Sequence, residues 1–147
     1  MMTKEIRPWL VLAGLTLGVM VTNGFVRFAY GLILPAMRAE LNWSFAQAGW
    51  LNTANAIGYL CGAVITALAI QNISQTKLFS IGLVLTTLSL IATGIETSMW
   101  WQTSWRFLAG FFGAMSFSTA GALVGGLFPK NPRHSALAIA ILFGSGG

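Results

Sequence analysis

Gly24-Phe25-Val26-Arg27-Phe28-Ala29-Tyr30-Gly31-Leu32-Ile33-Leu34-Pro35 carries one arginine through an otherwise apolar helical stretch and then meets a proline. A charge inside a membrane span costs several kcal/mol unless it faces protein or water, so it marks a functional path by default. Whether this stretch lies in lipid at all is decided by the sequence around it.

The chain has 147 residues, 56% of them hydrophobic and 7% charged, with a mean hydropathy of +0.75. Soluble domains carry roughly 25% charged residues, so this chain cannot clothe a water-facing surface and reads as an integral membrane protein. Its net charge of +5 does not point to nucleic acid, because the bases are scattered and form no basic run. Cys61 is the only cysteine, which excludes an intrachain disulfide and a cysteine metal cluster. Beside Gly62 in an apolar run, it is expected to be a small buried thiol. His134 lies in a loop, and no metal site or cofactor is expected.

Apolar sequence begins at Trp9 and runs on to Val26, longer than the apolar core of a signal peptide (about 7–15 residues). The pattern predicts an uncleaved first helix over 9–34, ended or kinked at Pro35. Ser44 with Gln47 fits a capping box that opens a second helix over 44–70. A third is predicted over 78–95, with Thr86, Thr87, Ser89 and Thr93 bonded back to its own carbonyls. A fourth spans 99–128, and a fifth apolar run begins at 135 and is cut short at 147. The fold class is therefore all-α transmembrane, one domain over 1–147, with four complete spans and part of a fifth.

Charge placement sets the expected topology. With the N-terminus cytoplasmic, the inner segments hold Lys4, Arg7, Lys77, Lys130 and Arg133, while the outer ones hold Arg38 as their only base. That bias is the positive-inside pattern, and Trp43, Trp100, Trp101 and Trp105 then form an outer aromatic belt with Trp9 at the inner face. A multi-pass protein of the cell (inner) membrane is expected. Glycine pairs four apart, Gly14/Gly18, Gly58/Gly62 and Gly121/Gly125, suit close helix packing within the bundle or a homodimer seam.

Thr16, Met20, Asn23, Arg27 and Tyr30 recur at helical spacing along the first helix, as do Asn52, Asn55 and Tyr59 along the second. Two polar stripes on apolar helices fit the facing walls of a wet cavity. They equally fit polar glue across a dry seam. Arg27 either faces the interior with its stripe or snorkels toward the outer interface. Arg106, in the fourth helix, is expected at nearly the same depth. No Asp or Glu lies within the predicted spans, which leaves water, carbonyls, an anionic solute or acids elsewhere as counter-charges. Guanidinium grips carboxylate or phosphate with two parallel bonds, as anion recognition requires. The chain carries no HExxH, Walker loop, GxSxG or paired intramembrane carboxylates, so no enzyme is indicated.

The strings Gly24–Tyr30 with Leu34-Pro35-Ala36-Met37-Arg38, and Gly49–Asn55 with Gly58-Tyr59-Leu60-Cys61-Gly62, resemble the first two helices of the YbfB/YjiJ-type branch of the major facilitator superfamily. Arg106-Phe107-Leu108-Ala109-Gly110 resembles the superfamily's Arg-x-x-x-Gly motif. The resemblance implies a twelve-helix secondary transporter built from inverted three-helix repeats, of which this chain supplies helices one to four and part of five. It further implies alternating access for a small organic solute, driven by protons or by another gradient. The transport site would lie among Asn23, Arg27, Tyr30, Asn52, Asn55 and Tyr59, with Arg106 in a coupling or structural role. The superfamily's Gly-x-x-x-Asp-Arg-x-Gly-Arg loop is not reproduced: in residues 67–77 the acid and both arginines are absent and only Lys77 is basic. Residues alone also admit a self-contained four-helix membrane protein with a structural or regulatory role.

Overall fold

The computed structural model describes residues 2–146, with the side chains of 2–6 and 25–30 outside the described set. The first helical column runs from Met2 to Glu40 in three pieces: α1 (Met2–Val19), a π-helical segment (Met20–Phe25) and α2 (Val26–Glu40). The break has a local cause. The Thr22 hydroxyl donates to the Gly18 carbonyl at 3.0 Å, competing with the backbone ladder as Thr side chains do. Asn23 and Gly24, both weak helix formers, come directly after it.

Of the two outcomes expected at Pro35, an end or a kink, the structure excludes the end: α2 continues through it to Glu40. The residue four positions back, whose carbonyl the proline ring crowds, is Gly31, and membrane helices commonly tolerate such a proline. The true stop lies at Asn42, which adopts φ 52°. Trp43 N–H bonds back to the Arg38 carbonyl at 3.1 Å, the closing bond of a Schellman turn with Asn in the left-handed position.

The capping box at Ser44 is present: its hydroxyl accepts from Gln47 N–H, and the Gln47 side chain accepts from Ser44 N–H at 2.9 Å. Helix α3 comes next (Phe45–Ala69), then α4 (Gln75–Thr93), α5 (Met99–Gly125) and α6 (Pro132–Gly146). Helix α4 begins three residues before the expected start, and Lys77 lies in its first turn rather than in a loop. Helix α6 likewise opens at Pro132 instead of Ser135. Proline is preorganised for the first helical position, and Asn131 Oδ1 accepts from His134 N–H at 3.3 Å. Helices α3, α4 and α5 are long and apolar enough to cross a membrane.

The bundle is built on α5. Half of its most apolar window is buried, against 28% for α3 and for α4, because small residues let neighbours approach from several sides: Ala109, Gly110, Gly113, Ala114, Ser116 and Ala120 are all buried. A core of Leu12, Leu15, Val19, Ala120, Val124, Ala138 and Leu142 joins α1, α5 and α6. On α4, Thr87, Ser89 and Thr93 bond back to their own helix as expected. Thr86 is buried, and its hydroxyl has no hydrogen-bond partner among the described residues.

Two α5 side chains close the end of α4. Gln102, 1% exposed, donates to the Thr93 and Glu96 carbonyls, each at 2.6 Å, and Trp101 Nε1 donates to the Ala92 carbonyl at 2.7 Å. The Ala92 and Thr93 carbonyls belong to the last turn of α4, where no partner exists within the helix itself, and Glu96 lies in the loop beyond it. Gln102→Leu keeps the bulk and removes the donors, so it should lower stability by about 1–3 kcal/mol. A thermal unfolding curve of the purified variant in detergent checks this; an unchanged midpoint would show that solvent replaces the amide without cost.

Candidate functional site

Helix α3 has three differently furnished sides. Leu51, Ala54, Gly58, Gly62 and Thr66 are buried and form the ridge against α5. Asn52, Asn55 and Tyr59 run along one flank at helical spacing and, with Thr53, Ala56 and Leu60, line an open cleft of about 710 Å³. On the opposite flank Trp50 and Ile57 line a more apolar groove with Phe107 and Leu108. Cys61, four residues beyond Ile57, is exposed, which corrects the expectation of a buried thiol. Gly58 and Gly62 take the contact with α5, and Cys61 falls to the side of them.

Gly58 and Gly62 bring the α3 backbone directly onto α5. A Cβ at Gly58 would run into the Phe107 carbonyl, and one at Gly62 into the Phe111 carbonyl. Gly110 answers from α5, where a Cβ would strike the Asn55 carbonyl and stand 3.0 Å from Tyr59 N. This contact gives the Arg-x-x-x-Gly spacing its geometric meaning. Asn55 Nδ2 donates to the Arg106 carbonyl at 3.0 Å, one turn before the Gly110 contact, so two positions of the motif hold α3 in register. Arg106 itself is 6% exposed. Of the other expected glycine contacts, Gly18 packs on Phe79, Gly121 only touches Phe143, and Gly14 and Gly125 meet nothing within 4 Å.

Asn23 is buried, 5% exposed. Its Nδ2 donates to Thr22 Oγ1 at 3.4 Å, and Ser116 Oγ of α5 stands 3.2 Å from the same oxygen while donating to the Gly113 carbonyl at 2.9 Å. Asn23 and Thr22 meet Asn55, Tyr59, Ala109, Gly110 and Gly113 around a crevice of about 10 Å³, at the lower limit for a single water. Thr22 and Asn55 thus link helices through hydrogen bonds, with Asn23 buried beside Thr22 in the seam, whereas Asn52 is exposed on the open cleft.

The first-helix stripe is not continuous. Met20 is 46% exposed while Asn23 is buried, because the π segment lies between Thr16 and Arg27 and its i→i+5 bonding rotates the residues beyond it away from a 3.6-residue repeat. Arg27 and Tyr30 lie on α2 past this segment, and their side chains lie outside the described residues. The helix ends at Glu40 rather than Pro35, so roughly 20 Å of helix separate Arg27 from that end at 1.5 Å per residue.

Thr22, Ser116 and Gln102 are the polar positions that sequence reasoning misses. Serine and threonine in apolar helices carry no distinctive local signal, since each can bond to its own helix. Among the described residues no group of three or more His, Cys, Asp or Glu is placed to hold a metal ion.

Apolar membrane-length helices packed by glycine on backbone, with a polar cleft along one of them, belong to a multi-pass membrane protein. A family model described as "Uncharacterised MFS-type transporter YbfB" matches residues 19–147, and the chain belongs to that family of the major facilitator superfamily. No curated protein and no solved structure matches it.

Proposed function

We propose that this chain forms part of the translocation path of a secondary transporter that carries a small organic solute by alternating access. The observation that carries the reading is the polar flank of α3, where Asn52, Asn55 and Tyr59 line an open cleft in a chain of a transporter family. Arg27 and Tyr30 of α2 belong to the same path, with Asn23 and Arg106 in its supporting walls. An arginine without an acid nearby in sequence suits an anionic solute, which it can grip through two parallel hydrogen bonds. Protons serve as the coupling ion, and the N-terminus is cytoplasmic in the inner membrane, the orientation favoured by the distribution of Lys and Arg.

The test is uptake of a panel of radiolabelled organic acids and phosphate esters by proteoliposomes of the full protein under an imposed proton gradient. Saturable, gradient-dependent uptake of an anionic member is expected; uptake indifferent to the gradient would remove the proton. Asn52→Leu should then lower transport about 10-fold, the worth of one hydrogen bond to solute, and leave thermal stability unchanged because Asn52 is exposed. Asn55→Leu should lower both, since Asn55 also holds the Arg106 carbonyl.

A further inference from the structure

At the end of the bundle where α1 begins and α5 gives way to α6, a cleft of about 420 Å³ is lined by Pro8, Trp9, Leu127, Phe128, Pro129, Lys130, Asn131 and His134. Its floor is apolar and aromatic. Trp9 and Phe128 lie with ring centroids 4.8 Å apart, and the His134 ring stands edge-on to both, 5.5 Å from Trp9 and 5.7 Å from Phe128. Its rim is cationic. Lys130 lines the cleft, and Arg133 and Arg7, exposed like Lys130, are the chain neighbours of the lining residues His134 and Pro8.

We propose that this cleft binds an anionic phospholipid, its phosphate held by Lys130 and Arg133 and the start of its acyl chains laid on Trp9, Leu127 and Phe128. Charge and apolarity argue for the two halves of that ligand separately. A free phosphate has no use for an aromatic floor, and a zwitterionic lipid has no net charge to offer the rim. Tryptophan at this level is the usual mark of the membrane–water interface, and basic pockets at helix ends on such a surface hold anionic headgroups. Arginine adds paired donors to phosphate, where lysine acts as a point charge.

The experiment uses the purified full protein in detergent, titrated with phosphatidylglycerol, phosphatidylcholine or inorganic phosphate. Thermal stability and retained lipid by native mass spectrometry are the two readouts. Phosphatidylglycerol should raise the unfolding midpoint and remain bound, and the other two should do neither. In Lys130→Gln/Arg133→Gln the affinity for phosphatidylglycerol should fall about 30-fold, at roughly 1 kcal/mol per basic residue. Both residues are exposed, so the variant folds, and its unchanged midpoint without lipid verifies that. Equal stabilisation by phosphatidylcholine, equal stabilisation by phosphate, or undiminished phosphatidylglycerol binding by the double variant would each overturn the proposal.

Discussion

Arg27→Lys should lower transport by the full protein about 30-fold, although it keeps the positive charge. A hydrogen bond to a charged group contributes about 1.5–3 kcal/mol, and lysine cannot supply the planar pair of donors that guanidinium offers a carboxylate or phosphate. Arg27→Ala removes the charge as well and should lower transport at least as far. Both variants should reach the membrane in normal amount, which a blot of the membrane fraction checks. Normal transport by both would take Arg27 out of the solute path. A lysine variant with normal transport beside an inactive alanine variant would leave it a charge without a bidentate role.

The larger structural effect belongs to Gly62. With leucine there, the first side-chain atom would meet the Phe111 carbonyl oxygen and stand 2.8 Å from both its carbonyl carbon and its Cα. Backbone cannot swing aside as a side chain can, so α3 must move off α5. That movement also breaks the Asn55–Arg106 bond and the fit of Gly110 against Asn55. The cost should reach about 3 kcal/mol or more, the upper part of the overpacking range, against a total stability of roughly 5–15 kcal/mol. Size-exclusion profiles of the solubilised protein should show its folded peak lost. Gly14→Ala and Gly125→Ala, with nothing within 4 Å of either position, should stay within about 0.5 kcal/mol of the parent. A folded, monodisperse Gly62→Leu protein would mean that the α3–α5 contact is looser than described.

The all-helical, apolar character of the chain was legible because the signals are coarse and repeated: long apolar runs, polar links with proline or asparagine, and a capping box at Ser44 whose chemistry is local. The glycine pair on α3 was legible as a close-approach motif, but not its partner. Finding Phe107 and Phe111 opposite it requires the tertiary register. Proline left two outcomes open at Pro35, and membrane helices commonly run on through such a residue, as α2 does. The π segment left no periodic trace; Thr22, Asn23 and Gly24 within it are common residues with no distinctive signal. It also interrupts the first-helix stripe, within which Met20 is exposed and Asn23 buried. Asn23 consequently belongs to a seam and Asn52 to the cleft, a separation that spacing alone could not make.

The claim that the polar flank of α3 lines a watery solute path is tested most directly by thiol accessibility in the native membrane. In a Cys61→Ser background, cysteines placed singly at Asn52 and Tyr59 are treated with a charged, membrane-impermeant methanethiosulfonate. Their rates are compared with that of native Cys61, which lies on the apolar flank with Ile57. The expected result is fast modification at 52 and 59 and slow modification at 61. Modification at 52 and 59 no faster than at Cys61 would contradict it, and would make this flank a dry or lipid-facing surface.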